Sequence, residues 1–227
     1  IRAEYSTDRT EFQGYLAIMR TVCLLAQKGG TGKTTLCLHL AVLASELGHD
    51  AAIIDIDPQA SATAWKRRRQ GETPEVLRHT ATDLPGVLAG LVQQNSDMVF
   101  LDTAPHSGHE AATAAELADL VLIVSRPAIL DLEAIGESVR IVRQQGGRSA
   151  IVLNACPPPH RTGETAIVRE AREALGVYGL PVAPVSISQR AAFSHALIDG
   201  HAVTEFETAG KAAGEIRRLY DWIDTQW

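Results

Sequence analysis

Cysteine and long apolar runs are scarce in this sequence. The three cysteines, Cys23, Cys37 and Cys156, are far apart and include no Cys-x-x-Cys pair. Such spacing indicates neither a disulfide framework nor a zinc site, and it fits a reducing cytoplasm. The most apolar stretch, residues 120–124, is far shorter than the roughly 18 residues that a membrane-spanning helix needs. We therefore expect a soluble cytoplasmic protein.

A basic excess is also missing, because the formal net charge is −6 at pH 7. This charge argues against a globally basic nucleic-acid coat but leaves room for a local basic patch. Hydrophobic residues make up 45% of the chain, which is ample for a buried core and excludes disordered and fibrous classes. Residues 1–18 lack the apolar core and cleavage site of a signal peptide. We interpret them as an appended segment or a disordered arm, followed by one domain at residues 19–227.

From residue 21 onward, short apolar runs alternate with segments of helical periodicity, which is typical of βαβ units. We predict an α/β fold with a doubly wound, mostly parallel sheet flanked by helices. Strands are predicted at residues 21–26, 51–56, 75–79, 98–102, 120–125, 150–154 and 182–187. Helices are predicted at residues 34–47, 83–94, 110–117, 130–144, 164–175, 190–198 and 208–223.

A glycine-rich loop joins the first predicted strand to the first predicted helix, and residues 27–35 read QKGGTGKTT. The glycines let successive N–H groups turn inward as an anion nest, with the positive end of the helix dipole behind them. Lys33 would reach the β- and γ-phosphate oxygens of a nucleotide, and the Thr34 hydroxyl would ligate Mg²⁺. We therefore predict a P-loop NTPase. The predicted phosphate-binding residues are Gly29, Gly30, Thr31, Gly32, Lys33, Thr34 and Thr35.

The loop departs from the standard G-x-x-x-x-G-K-[ST] spacing, because Gln27 occupies the position of the first glycine. It carries instead a second lysine, Lys28, at its rim. From there the ammonium group could reach a nucleotide held by a second subunit, so that a dimer would sandwich two ATP molecules. A charge donated in this way would stabilise the transferring phosphoryl group, as an arginine finger does in trans. We therefore predict a catalytic role for Lys28 beside Lys33.

Three aspartates stand where predicted strands end. Asp55 and Asp57 are two residues apart and so point to the same side, at the carboxyl edge of the sheet where open α/β folds bind ligands. We assign Asp57 to orienting the attacking water and to the metal shell, and Asp55 to bracing the loop. Asp102 follows four apolar residues in a Walker-B pattern, which holds Mg²⁺ through water. The predicted metal site therefore comprises Thr34, Asp57 and Asp102.

These motifs carry a resemblance to a known family. The segments KGGTGKTT, IIDIDPQASAT and FLDTAPHSG, followed by ADLVLIVSRPAILDLEAI, resemble the deviant Walker-A ATPases of the ParA/MinD superfamily, and most of all the ParA-type partition ATPases. The later segment SISQRAAFSHALIDGHAV is similar to the small single-domain partition ATPases of plasmids. The resemblance extends from about residue 21 to the end of the chain.

The resemblance implies an ATP-sandwich homodimer, slow Mg²⁺-dependent hydrolysis stimulated by a partner protein, and sequence-independent DNA binding by the ATP-bound dimer. It implies that Lys28 is the signature lysine, Asp57 the hydrolysis aspartate and Asp102 the Walker-B acid. It also implies that Lys33 and Thr34 bind phosphate and Mg²⁺. Asn154 ends a predicted strand where relatives often contact adenine, although a turn residue explains it equally well.

Residues 103–110 would form the switch segment that senses the γ-phosphate. His106 and His109 depart from the small residues common there, and we interpret both as ordinary loop histidines. Residues 103–118 contain no cysteine, which excludes the relatives that hold an iron–sulfur cluster near the switch.

Membrane-cycling relatives similar to MinD end in a basic amphipathic helix that inserts into the bilayer surface. Here the terminal segment carries a stripe of small and medium apolar residues, which indicates core packing and no stable membrane association. Trp222 and Trp227 keep the membrane alternative open. The stripe comprises Ala209, Ala212, Ala213, Ile216, Leu219, Tyr220 and Ile223.

Two groups of basic residues are candidate DNA contacts, although a solvated helix face is the alternative for each residue. A cluster repeated across a dimer could hold DNA despite the acidic total. The run at residues 66–69, KRRR, suits a helix C-terminus better than a DNA contact. The first group is Arg190, Lys211, Arg217 and Arg218, and the second is Arg140, Arg143 and Arg148.

The sequence thus predicts an ATP-driven positioning switch that is cytoplasmic and nucleoid-associated. ATP would close a dimer, the dimer would bind DNA, and a cargo-bound ParB-like or small adaptor protein would trigger hydrolysis and release. The cargo would be a plasmid, a chromosome region or a large protein assembly. Three alternatives stay open: a MinD-like membrane-cycling ATPase, a small-molecule phosphoryl-transfer enzyme of the same superfamily, and a scaffold that binds ATP without hydrolysing it.

Overall fold

Six parallel strands form one sheet in the computed structural model, which describes residues 19–105, 108–161 and 163–227. The predicted arm at residues 1–18 and the predicted switch residue His106 lie outside the described residues. Most strand residues are apolar and buried, as expected for a parallel sheet covered on both faces. The strands are β1 (Arg20–Leu25), β2 (Ala51–Asp55), β3 (Glu75–Arg78), β4 (Met98–Asp102), β5 (Leu120–Ser125) and β6 (Arg148–Leu153).

The strand order is β3-β2-β4-β1-β5-β6. The chain crosses from β1 to one half of the sheet and from β4 to the other half, so the order reverses beside these two central strands. Ligands bind in open α/β sheets at the carboxyl ends of the strands that flank such a reversal. The register pairs Leu24 with Asp102, which places the end of β4 beside the residues that follow β1.

Helices cover both faces of the sheet and bury one apolar cluster on each. The first cluster includes Leu40 and Ile216, and the second includes Leu88 and Ile135. The predicted doubly wound α/β fold is therefore confirmed. The helices are α1 (Lys33–Glu46), α2 (Ser61–Lys66), α3 (Leu84–Gln93), α4 (Gly108–Leu117), α5 (Ile129–Gln145), α6 (Ala166–Leu175), α7 (Ala191–Ile198), α8 (Val203–Phe206) and α9 (Lys211–Asp224).

The predicted strand at residues 182–187 is wrong. This segment lies beside β6 but forms only one isolated bridge with it, between Val182 and Ile151. Ala183 donates its N–H to the Ile151 carbonyl at 2.8 Å, and the next bond from the segment to β6 comes from Ile187. In a regular parallel ladder the next donor would be Val185, whose N–H makes no backbone hydrogen bond to β6. The Arg172 guanidinium binds the Ala183 and Pro184 carbonyls.

The C-terminal helix α9 packs its apolar stripe into the core, as predicted. All the residues of the stripe are buried except Ala209, which lies before the helix begins. Trp222 and Trp227 are partly buried against the same cluster. Among the described residues, no helix is both long enough and apolar enough to span a bilayer.

The basic run at the end of α2 makes tertiary contacts. The Lys66 ammonium donates to three backbone carbonyls of the turn that follows. The Arg69 side chain is only 7% exposed and forms two hydrogen bonds with the Glu205 carboxylate, at 2.8 and 2.9 Å. Arg67 remains exposed. Much of the run therefore ties α2 to its surroundings, a role that the sequence did not reveal.

All three cysteines are buried and unpaired. Burial raises the pKa of the Cys23 and Cys37 thiols well above the ordinary value and raises that of Cys156 to about 12. These side chains therefore act as small apolar core residues.

The ion pair between Arg69 and Glu205 should stabilise the fold. Glu205→Ala leaves a mostly buried guanidinium without its counter-charge, so we expect the free energy of unfolding in urea to fall by about 2 kcal/mol. The control Arg67→Ala removes an exposed arginine from the same run and should change stability by less than about 0.5 kcal/mol. Equal stability of the two variants would contradict the assignment.

Candidate functional site

The glycine-rich loop connects β1 to α1 and leaves several of its N–H groups without a backbone partner in the described part of the chain. Gly30 and Gly32 adopt φ values of 72° and 94°, a left-handed conformation that favours glycine. Within the described part of the chain, the N–H groups of residues 29–34 donate no hydrogen bond to the backbone. The helix α1 begins at Lys33, so the positive end of its dipole adds to these donors. Such an arrangement binds anions, phosphate above all.

Lys33 lies beneath the loop and is 6% exposed. Its Nζ donates to the Ala26 carbonyl at 3.3 Å. Burial lowers the pKa of this lysine, and the negative charges of Asp102 and Asp57 oppose that shift. The structure therefore brings together three residues that the sequence predicted for one site.

Asp102, at the end of β4, is completely buried. Burial raises the pKa of its carboxyl to about 7, and the nearby charge of Asp55 adds to this, whereas the Thr34 hydroxyl and the Lys33 ammonium oppose it. Among the described residues, neither of its carboxylate oxygens is placed to accept a well-formed hydrogen bond. A buried carboxylate in this condition requires a cation or water.

These surroundings fit a magnesium ion held together with nucleotide phosphates. Mg²⁺ prefers oxygen ligands and usually keeps several waters, with one or two carboxylates from the protein. The orphaned oxygens of Asp102 lie near the Thr34 hydroxyl, which supplies the expected ligand types. In residues 19–105, 108–161 and 163–227, no group of three His, Cys, Asp or Glu side chains forms a metal cage. Phosphate and water would therefore have to complete the shell.

Asp55 and Asp57 have different surroundings, because β2 ends at Asp55. The buried Asp55 carboxylate accepts hydrogen bonds from the Thr63 N–H at 2.9 Å, the Thr63 hydroxyl at 2.8 Å and the Asp57 N–H at 3.2 Å. Asp55 thus braces the segment after β2, whereas the sequence assigned it to bracing the loop. Asp57 lies beyond the strand, is partly exposed and accepts a hydrogen bond from the Gln59 N–H at 2.9 Å. Its carboxylate therefore lies at the rim of the site.

Lys28 is held within its own chain by a residue that sequence reasoning missed. Its Nζ lies 2.8 Å from the Asp131 carboxylate, in the first turn of α5. The Asp131 side chain is 8% exposed, whereas that of Lys28 is 38% exposed. Lys28 is therefore held by Asp131 at the rim of the loop, and its side chain remains accessible to solvent.

Two further side chains contact the loop from the ends of β5 and β6. The Asn154 Nδ2 donates to the Thr31 carbonyl at 2.7 Å, and the residue is 7% exposed. The Arg126 guanidinium donates to the Gly30 carbonyl. Sequence reasoning placed Asn154 near the nucleotide but did not identify Arg126, although it directly follows a predicted strand.

The predicted switch segment is described only in part. Thr103 is buried, and its hydroxyl donates to the Leu24 carbonyl at 2.8 Å. This bond ties the end of β4 to β1. His109 is exposed in the first turn of α4, which fits the interpretation of an ordinary surface histidine.

Three of the four main candidate DNA contacts line one open cavity of about 540 Å³. These are Arg190, Lys211 and Arg218, joined by Arg161. The Arg190 guanidinium is also bound to the buried Glu215 carboxylate, at 2.7 Å, so its charge is largely compensated. The cavity therefore owes its basic character mainly to the other three residues.

The remaining candidates are engaged elsewhere. Arg217 does not line the cavity and donates to the Thr208 carbonyl at 2.7 Å. In the second group, Arg140 pairs with Glu137 on its own helix. Arg143 and Arg148 donate to backbone carbonyls at 2.6 and 3.0 Å. The second group thus forms no common surface through these contacts.

Several known proteins are similar in sequence to this chain. One similar protein is the maintenance of carboxysome distribution protein A of Gloeobacter kilaueensis, 29% identical over 92% of this chain and 95% of the relative. Protein IncC of Escherichia coli is 26% identical over 99% of this chain and 74% of the relative. The chromosome-partitioning ATPase Soj of Thermus thermophilus is 30% identical over 52% of this chain and 59% of the relative.

Solved structures share the fold. Cyanothece McdA in complex with ATP superposes with a TM-score of 0.72 at 15% identity, covering 91% of this chain and 97% of that one. Pyrococcus furiosus MinD gives 0.71 at 19% identity, covering 92% and 99%. Residues 22–203 match the family described as the CobQ/CobB/MinD/ParA nucleotide binding domain. The resemblance seen in the motifs is therefore confirmed, and the chain belongs to the CobQ/CobB/MinD/ParA nucleotide-binding family.

Proposed function

We propose that this chain is a Mg²⁺- and ATP-dependent positioning ATPase that forms a homodimer with ATP, binds DNA without sequence specificity and places a cargo through partner-stimulated hydrolysis. The observation that carries the proposal is the loop with its two lysines. Lys33 lies beneath the loop beside Asp57 and Asp102, and Lys28 lies next to it with an accessible side chain. We treat residues 19–227 as the single domain that performs this cycle.

The proposed ligand is ATP with Mg²⁺. The unpaired N–H groups of the loop would bind the phosphates, and Lys33 would neutralise part of their charge. Thr34 and, through water, Asp102 would hold Mg²⁺, with Asp57 close to the same shell; the ion neutralises charge on the phosphates when bound. Solved neighbours support this choice, since one is an McdA–ATP complex and another is a cobyrinic acid a,c-diamide synthase with an ATP analogue and magnesium.

Hydrolysis converts ATP and water to ADP and phosphate. Asp57 is the candidate for orienting the attacking water, because its carboxylate lies at the rim of the site and not within the strand. Asp55 is unsuited to this task, since its oxygens accept hydrogen bonds from the segment after β2. Intrinsic turnover would be weak until a partner protein completes the site.

Dimerisation would take Lys28 to the nucleotide of the second subunit. In a two-fold dimer each protomer donates the same residue, so both sites would gain one ammonium group. To make this contact Lys28 must leave Asp131, which holds it at 2.8 Å. The charge of the γ-phosphate supplies the competing attraction.

The proposed DNA contact is the basic cavity lined by Lys211, Arg218, Arg161 and Arg190. A dimer presents this cavity twice, which offsets the acidic net charge locally. Relatives named for carboxysome distribution and chromosome partitioning support a positioning role. The cargo would be a plasmid, a chromosome region or a large protein assembly, bridged by a ParB-like or small adaptor protein, and the active dimer would reside on the nucleoid.

Lys28→Gln should abolish ATP-dependent dimerisation, because the trans-acting charge is lost, while nucleotide binding by the monomer persists. Light scattering after size-exclusion chromatography with a non-hydrolysable ATP analogue measures this. Asp131→Asn is the matched variant, since it frees Lys28 without removing it and should dimerise at least as well as the natural chain. A Lys28→Gln protein that dimerises normally refutes the trans role.

Asp57→Ala should reduce phosphate release by roughly a hundredfold, because the attacking water loses its orienting group. The ATP-bound dimer should persist and accumulate. The control Asp221→Ala removes an exposed carboxylate on α9 and should leave turnover unchanged. Unimpaired turnover in Asp57→Ala would rule out its hydrolytic role.

Lys211→Glu combined with Arg218→Glu should weaken binding of the ATP-bound dimer to DNA of any sequence. The plot of log affinity against log salt should become shallower by about 0.9 for each phosphate that the protein no longer neutralises. Arg190 is left unchanged, because its loss would strand the buried Glu215. The control Arg140→Glu reverses a charge outside the cavity, and equal loss of affinity in both proteins argues against the cavity as the DNA site.

A further inference from the structure

We infer that Asn154 and Arg126 are positioning residues that together fix two successive peptide groups of the phosphate loop. Each donates to a loop carbonyl, and the two carbonyls belong to adjacent residues, Gly30 and Thr31. The inference rests on the proposed function, because it concerns how the loop binds phosphate. It assigns the Asn154 Nδ2 a role toward the phosphates, whereas the resemblance implied a contact with adenine.

Asn154 is firmly anchored. Its own N–H donates to the Ser125 carbonyl at 2.7 Å, which ties the residue to the end of β5. Its side chain lies directly against Gly32, where an added Cβ would be 2.2 Å from the Asn154 Nδ2. Glycine at position 32 is therefore required for this contact as well as for the left-handed backbone. The amide donor is committed to the Thr31 carbonyl at 2.7 Å.

Arg126 acts on the preceding peptide from the end of β5, the strand that lies between β1 and β6. It follows β5 directly, so the parallel sheet delivers it to the same edge as the loop. Its guanidinium approaches the loop closely enough that a Cβ at Gly30 would lie 3.5 Å from Nη2. Arg126 is exposed, so its backbone contact does not depend on core packing.

The geometry of the peptide group links these contacts to phosphate binding. In a trans peptide the C=O of one residue and the N–H of the next point in opposite directions in one plane. A donor that holds the Gly30 carbonyl therefore turns the Thr31 N–H away from Arg126. Asn154 fixes the Gly32 N–H in the same way through the Thr31 carbonyl. Presetting both donors reduces the ordering cost that a bound phosphate would otherwise incur.

The two roles considered for Asn154 make different predictions. A residue that reads adenine affects ATP and leaves inorganic tripolyphosphate unaffected. A residue that sets the loop affects both ligands, because both bind through phosphates. Binding of each ligand in the presence of Mg²⁺ can be measured by isothermal titration calorimetry.

Asn154→Leu removes the donor, keeps the number and branching of the side-chain heavy atoms and adds no charge. We expect roughly three- to tenfold weaker binding of both ATP and tripolyphosphate, the usual worth of one hydrogen bond. Arg126→Gln, whose amide is two bonds too short to reach the Gly30 carbonyl, should weaken both ligands likewise, and the loss should persist at high ionic strength, where a purely electrostatic loss fades. Arg126→Lys keeps a donor and should recover part of the affinity. Arg140→Gln, an exposed arginine outside the loop, should match the natural chain.

Loss of ATP affinity alone in Asn154→Leu would overturn the inference and favour adenine contact. Unchanged binding in Arg126→Gln would overturn the part that concerns Arg126, and this exposed variant remains decisive if Asn154→Leu does not fold. A natural chain that binds neither ligand defeats the proposed function as well. A natural chain that binds both, with variants that do not differ from it, defeats the inference alone.

Discussion

Opposite charges buried beneath the phosphate loop impose the main constraint on this structure. Lys33 and Asp102 are both buried. Burial lowers the pKa of Lys33 and raises that of Asp102, and both shifts favour the uncharged form. Each opposes the shift of the other, because an uncompensated buried charge would cost several kcal/mol. This balance requires β1 and β4 to lie side by side, and the register that pairs Leu24 with Asp102 provides it. The charge balance at the site therefore depends on this strand order.

The sequence predicts those elements of the fold that are determined by the pattern of apolar and polar residues within a short segment. The strands at 98–102 and 120–125 match their predicted bounds to the residue, because buried parallel strands are continuous apolar runs with polar flanks. The segment at 182–187 is also largely apolar, yet the Arg172 guanidinium binds two of its carbonyls and regular pairing with β6 is lost. The basic run at 66–69 resembles a helix terminus, but Arg69 finds its partner 136 positions away. Contacts between residues so far apart in the sequence cannot be predicted from the pattern of neighbouring residues.

The same distinction holds within the site. The glycines and the loop lysines have fixed spacing, and the aspartates follow apolar strands, so the sequence alone predicted that these residues share one edge of the sheet. Asp131 and Arg126 were missed because their role depends on which strands become neighbours. A signal did exist, since both residues follow the fifth predicted strand, and every parallel strand ends at the same edge of the sheet. Polar residues just beyond such strands therefore merit attention even without a motif.

The burial of all three thiols has a practical consequence for observing the molecule at work. A maleimide dye reacts with exposed thiolate, which none of the natural cysteines offers in the folded chain. One cysteine introduced at an exposed position such as Arg67 would thus carry a fluorophore at a known place, without deleting any natural residue from the core. Energy transfer between two labelled copies could then follow their association and separation in real time.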